Sequence, residues 1–170
     1  MNALRILSVM TLAVAASLAP VGAQAADTTY TAQLSAGEEV PTNASLARGA
    51  AIFKLSADGT ALEYRLIVAN LQNPVAAHIH LAPAGQNGAV VAFLFGPAAP
   101  GDGRTSGVIA TGSITAANLV GPLAGASLSD LVEMIDSGNT YVNVHTNDGV
   151  APVTNLPGDI PGGEIRGQIG

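Results

Sequence analysis

From Tyr30 onward the chain is written in short runs of alternating apolar and polar residues, each bounded by Gly, Pro, Asn or Asp. A period of two is the pattern of a strand with one buried face, and the turn residues interrupt it at strand length. Gly49-Ala-Ala-Ile-Phe-Lys-Leu55 and Leu62-Glu-Tyr-Arg-Leu-Ile-Val68 flank Asp58-Gly59 and predict a hairpin. Tyr30 to Leu34, Ala77 to Leu81, Val90 to Phe95, Gly107 to Ile114, Tyr141 to His145 and Glu164 to Ile169 give further strands. About eight strands at this spacing predict an all-β fold, a Greek-key or immunoglobulin-like β-sandwich. Helical spacing occurs at Leu128, Leu131, Val132 and Ile135, behind Ser127 with Asp130 three residues on and ahead of Gly138. That predicts one short capped helix.

The 170 residues allow one domain and hardly two, and 48% hydrophobic residues are enough for a core. Gly96 to Gly103 and Gly149 to Gly163 read as loops within that domain, and there is no internal repeat. A formal charge of −6 with no basic run argues against nucleic acid, because phosphate neutralisation needs clustered Lys and Arg. Residues 1–25 read as a secretory signal: Arg5 supplies an early charge, Ile6 to Leu18 is uncharged and apolar, and Ala23-Gln24-Ala25 suits a signal peptidase. A membrane span is not expected, since the run is shorter than the ~20 residues a spanning helix needs and Pro20 and Gly22 break it. Cleavage after Ala25 leaves residues 26–170 as the domain, secreted or periplasmic. With no cysteine in the chain, no disulfide can support it, so the core must suffice.

All three histidines fall in predicted strands: His78-Ile79-His80, and His145 at the end of Tyr141-Val-Asn-Val-His145. Side chains at i and i+2 share a face of a strand, whereas on a helix the same spacing splays them by about 200°. If Ile79, Val142 and Val144 point to the core, then His78, His80, Asn143 and His145 point outward. Ile165 and Ile169 likewise put Glu164, Arg166 and Gln168 outward. Should those strands be neighbours, the three imidazoles can meet a divalent ion. Without cysteine, neutral imidazoles suit Cu(II) or Zn(II), copper binding tightest. Glu164 is then a fourth ligand or an acceptor fixing an imidazole tautomer, with Arg166 beside it. The plainer alternatives are histidines on a solvated face that bind nothing, and Glu164 with Arg166 as a surface ion pair worth ~0–1 kcal/mol.

Other motifs are weaker. Gly85-Gln86-Asn87-Gly88 lacks the helix opening and lysine of a phosphate cradle and reads as a tight turn. Asp148 lies near His145, but no Ser or Cys is marked as a nucleophile. Asn43-Ala44-Ser45 fits a glycosylation sequon, relevant only on a eukaryotic secretory route.

Taken in order, Glu39-Val-Pro41, Leu62-Glu-Tyr-Arg-Leu66, Ala77-His-Ile-His-Leu81, Gly85-Gln-Asn-Gly-Ala-Val90, Tyr141-Val-Asn-Val-His-Thr146 and Gly163-Glu-Ile-Arg-Gly167 resemble the chordin-type (CHRD) domain. The likeness spans Tyr30 to Ile169, with Leu81-Ala82-Pro83 as a departure where a glycine is expected, and with a Gly149 to Pro161 stretch longer than usual. The resemblance implies a secreted or surface-exposed β-sandwich binding module without a firm enzymatic activity. A fainter likeness to copper/zinc superoxide dismutase, through its sandwich and H-x-H strand, is an analogy of fold. Three functions remain open: a non-catalytic module binding copper or zinc, a copper metalloenzyme, and an adhesion or matrix module that engages a protein partner without metal.

Overall fold

Period-two alternation becomes strand at all eight expected places in residues 28–170, the part of the chain described by the computed structural model. β1 (Thr29–Ser35), β2 (Arg48–Leu55), β3 (Leu62–Gln72), β4 (Pro74–Leu81), β5 (Ala89–Phe95) and β6 (Arg104–Ile114) come first. One helix, α1 (Leu128–Asp136), precedes β7 (Thr140–Thr146) and β8 (Ile165–Gln168). The secretory segment expected over residues 1–25 lies outside the described residues. No described helix is long and apolar enough to cross a membrane.

The strands join in the order β5-β4-β7-β8-β1-β2-β3-β6, each antiparallel to its neighbour. The fold is therefore all-β, with eight strands and one short helix, but the hydrogen bonds make one continuous ladder where a sandwich has two. The accumulated twist of a long antiparallel sheet brings its edges round toward each other. The edge strands β5 and β6 touch, and Tyr64 on β3 donates its hydroxyl proton to the Leu94 carbonyl on β5 at 2.8 Å.

Curling encloses one face. Leu34, Phe53, Leu66, Ile79, Val142 and Ile165, from six different strands, are each at most 1% exposed and pack together. Burying a side chain of this size contributes about 1.5–3 kcal/mol, so this alternation is the main source of stability. α1 adds Leu128, Leu131 and Ile135 to the same core. Its N-terminus is fixed by the capping box: the Asp130 N–H donates to Ser127 Oγ at 3.3 Å and the Ser127 N–H donates to Asp130 Oδ2 at 2.8 Å.

The outer face of the β4-β7-β8 region is covered as well, by polar groups. Glu164 and Arg166 are each 1% exposed and Asn143 is 3% exposed, beneath segments 39–47, 82–88 and 154–163. This overturns the surface ion pair. Arg166 lies over the Tyr141 ring, 3.4 Å from its centroid, and donates to the Pro83 carbonyl at 3.2 Å and Asn87 Oδ1 at 3.3 Å. Glu164 is engaged elsewhere, by Ser45, Thr146 and Gly158.

Candidate metal centre

The site is built by strand pairing. β4 lies directly beside β7, with Ile79 opposite Val142 on the core face and His78 opposite Asn143 on the outer face. His80 lies opposite Tyr141, and their rings stack at 4.8 Å with 12° between planes. Alternation thus places His78, His80 and His145 on one side. Their nitrogens form a cluster in which the three chosen ligand atoms all lie within 4.8 Å of one another. Bonds of ~2.0–2.1 Å to a tetrahedral ion require nitrogens about 3.3 Å apart, and the 3.1 Å between His78 Nδ1 and His145 Nε2 is of that size.

Backbone carbonyls fix two tautomers. His80 Nδ1 lies 2.9 Å from the Gly88 oxygen and His145 Nδ1 lies 2.9 Å from the Pro161 oxygen. A carbonyl only accepts, so each Nδ1 carries its proton and each Nε2 is left as an acceptor. His145 Nε2 faces His78 Nδ1 at 3.1 Å, and His80 Nε2 is buried without any hydrogen-bond partner. A carbonyl on the far nitrogen is the arrangement that orients metal-bound imidazoles. The Gly85 to Gly88 segment, read as a turn, therefore has a second role. Gly88 must be glycine, because a Cβ there would lie 2.0 Å from the Leu81 carbonyl oxygen.

Electrostatics keep the rings neutral. Burial pushes His78 down to about 4, helped by the His145 and His80 rings. His80 is lowered chiefly by burial and also by Arg166, against the Gly88 hydrogen bond, which raises it. His145 is lowered by burial and by His80, against the Pro161 hydrogen bond. Neutral imidazole is the ligand form. Phe93, opposite His78 on β5 and 57% exposed, sets its ring edge-on to His78 at 5.1 Å, shielding one side of the site.

Glu164 does not join the cluster. One of its carboxylate oxygens accepts from Ser45 Oγ at 2.6 Å, and the other accepts from Thr146 Oγ1 at 2.6 Å and the Gly158 N–H at 2.7 Å. With both oxygens engaged by the covering segments, the carboxylate pins those segments to the sheet, and the geometry supports no ligand role. Asn43 is likewise engaged, donating to the Glu164 carbonyl at 3.0 Å and accepting from the Ser45 N–H at 2.9 Å. Asp148 accepts from the Val150 N–H in a local turn. Tyr141 was legible by parity, since it shares the alternation of Asn143 and His145. Glu39 was not: nothing in its local sequence shows that it is 5% exposed, with Oε1 lacking a partner.

The family model for the CHRD domain matches residues 30–169, from the second residue of β1 to the residue after β8. This chain belongs to the CHRD domain family. No curated protein and no solved structure matches it. In this CHRD domain the covered polar face and the histidine cluster occupy the β4-β7-β8 region of the sheet.

Acidification tests the buried groups, and the signs oppose. Unfolded histidine titrates near 6.5, so between about 6.5 and 4 the unfolded chain binds more protons than the native one. The histidines therefore leave stability level above pH 6.5 and erode it below. Glu39 is pushed up to about 7, first by burial and also by Glu164, against Arg166 and the Asn143 amide. Its contribution is fully present below its unfolded value of 4.5 and is lost as pH rises through 7. In chelator-treated protein the two trends offset each other. Urea midpoints from pH 7 to 4.5 should fall more steeply in Glu39→Gln than in the parent. Parallel curves would show that Glu39 is not buried as described.

Proposed function

We propose that this CHRD domain is an exported, non-catalytic binding module that holds a divalent metal ion, Cu(II) ahead of Zn(II), through His78, His80 and His145. The observation that carries the reading is His80 Nε2, a buried lone pair with no partner beside two further imidazoles. Leaving such an atom unpaired costs about 1–3 kcal/mol, which a bound cation removes. Three neutral nitrogens suit copper or zinc, and among divalent ions copper binds tightest. His78 and His145 are only partly buried, so an ion can reach the cluster from solvent.

Competitive titration of the chelator-stripped protein should give one Cu(II) site per chain and weaker Zn(II) at the same place. His80→Ala and His145→Ala should each weaken Cu(II) by more than the about 10–100-fold typical of outer-shell changes. Affinities unchanged in His78→Ala, His80→Ala and His145→Ala would leave a metal-free adhesion module as the remaining reading. A three-ligand copper centre keeps a coordination position open, which favours the copper-enzyme alternative as a second reading. Superoxide turnover by the copper-loaded protein, compared with His80→Ala, separates catalysis from binding.

A further inference from the structure

Beyond the Pro161 carbonyl that holds His145, the covering segments enclose a cleft of about 520 Å³. That volume lies within the about 300–1,000 Å³ of small-molecule sites. Glu39 is the sole ionisable side chain among its lining residues. We infer that this cleft is a second binding site, separate from the histidines, for a small organic ammonium ion.

Unused hydrogen-bonding capacity selects the ligand. The lining amides of Asn43 and Asn87 are engaged within the fold: Asn87 donates to the Val40 carbonyl at 2.7 Å and accepts from Arg166 at 3.3 Å. Glu39 Oε1 and Asn143 Oδ1 are buried without partners. The two side chains are linked, Asn143 Nδ2 donating to Glu39 Oε2 at 3.4 Å. Gly163, which lines the cleft, packs against the Asn143 amide so closely that a Cβ would lie 2.4 Å from Nδ2. Among the lining side chains, Glu39 Oε1 is the buried atom left unused, and a carboxylate oxygen accepts, so a ligand that pairs with it must bring donors. A primary ammonium brings three, with a charge.

Charge agrees. Burial and the nearby Glu164 disfavour the charged form of Glu39, and Arg166 with the Asn143 amide only partly offset them. A bound cation supplies the missing positive charge where an unpaired carboxylate is costly. Val40, Pro41, Ala44 and Ile160 give the cleft apolar wall for a short alkyl body.

The test is titration of the chelator-stripped chain with n-butylamine by calorimetry and ligand-observed NMR, with 1-butanol and tetramethylammonium as comparisons. Saturable binding of butylamine alone is expected, because the alcohol lacks charge and the quaternary ion lacks donors. Glu39→Gln should lose at least about tenfold, equivalent to 1.4 kcal/mol. Ala44→Phe, at an exposed lining position, should block the cleft with the fold intact. His80→Ala should bind butylamine as the parent does, whatever becomes of copper. No saturation with butylamine, equal binding of 1-butanol, or full affinity in Glu39→Gln and Ala44→Phe would overturn the proposal, leaving a cleft that holds water.

Discussion

Ile79→Asp is expected to unfold the domain. Ile79 is fully buried, between β5 and β7 in the sheet and opposite Val142, with no polar partner on that face. The substitution removes a core side chain, itself worth about 2–5 kcal/mol, and leaves an unpaired carboxylate among hydrocarbon. A loss of more than about 4 kcal/mol is a large part of the 5–15 kcal/mol that holds a typical domain. Circular dichroism and urea unfolding should show little native protein. Ile79→Val, which keeps the shape, should cost only about 0.5–1.5 kcal/mol. A native urea midpoint for Ile79→Asp would mean that β4 faces the other way and that the histidines, not Ile79, line the core.

Glu164→Ala is expected to be nearly as damaging, for a polar reason. It strips the acceptor from Ser45 Oγ, Thr146 Oγ1 and the Gly158 N–H, all in buried bonds. At about 1–3 kcal/mol for each orphaned group, and with water entering to satisfy part of the need, the loss is about 3–5 kcal/mol. Glu164→Gln keeps one oxygen and should lose less. Its Cu(II) affinity should match the parent, because the carboxylate is outside the cluster. A folded Glu164→Gln protein whose copper binding drops more than about tenfold would return Glu164 to the ligand set.

These two residues mark what could be read from the amino-acid sequence and what could not. Strands, the α1 cap and the inward isoleucines follow from local periodicity, which short-range sterics and burial impose directly. The convergence of His78, His80 and His145 depends on β4 lying beside β7, a long-range pairing that brings the His78 and His145 rings into contact across 67 residues of chain. The fate of Glu164 and Arg166 was illegible for a different reason. Parity assigns a face but does not say whether solvent reaches it. Here three Gly/Pro-bearing segments fold back over the polar side, and their hydroxyls and backbone groups are the partners. The one local hint was the unusual length of the Gly149 to Pro161 stretch. Glu39 belongs to the same covered layer, and its burial depends on Asn143 far along the chain.

The place of β8 has a consequence for how the molecule comes together. β8 is last of the eight strands in chain order yet sits mid-sheet, between β7 and β1, which share no ladder of their own. A chain emerging from its N-terminus can form β1-β2-β3-β6 on one flank and β5-β4-β7 on the other, but no backbone ladder joins the flanks until this keystone arrives. Assembly is therefore not vectorial. The Pro161 carbonyl that orients His145 and the Glu164 clamp immediately precede β8, so the surroundings of that imidazole are among the last parts of the molecule to set.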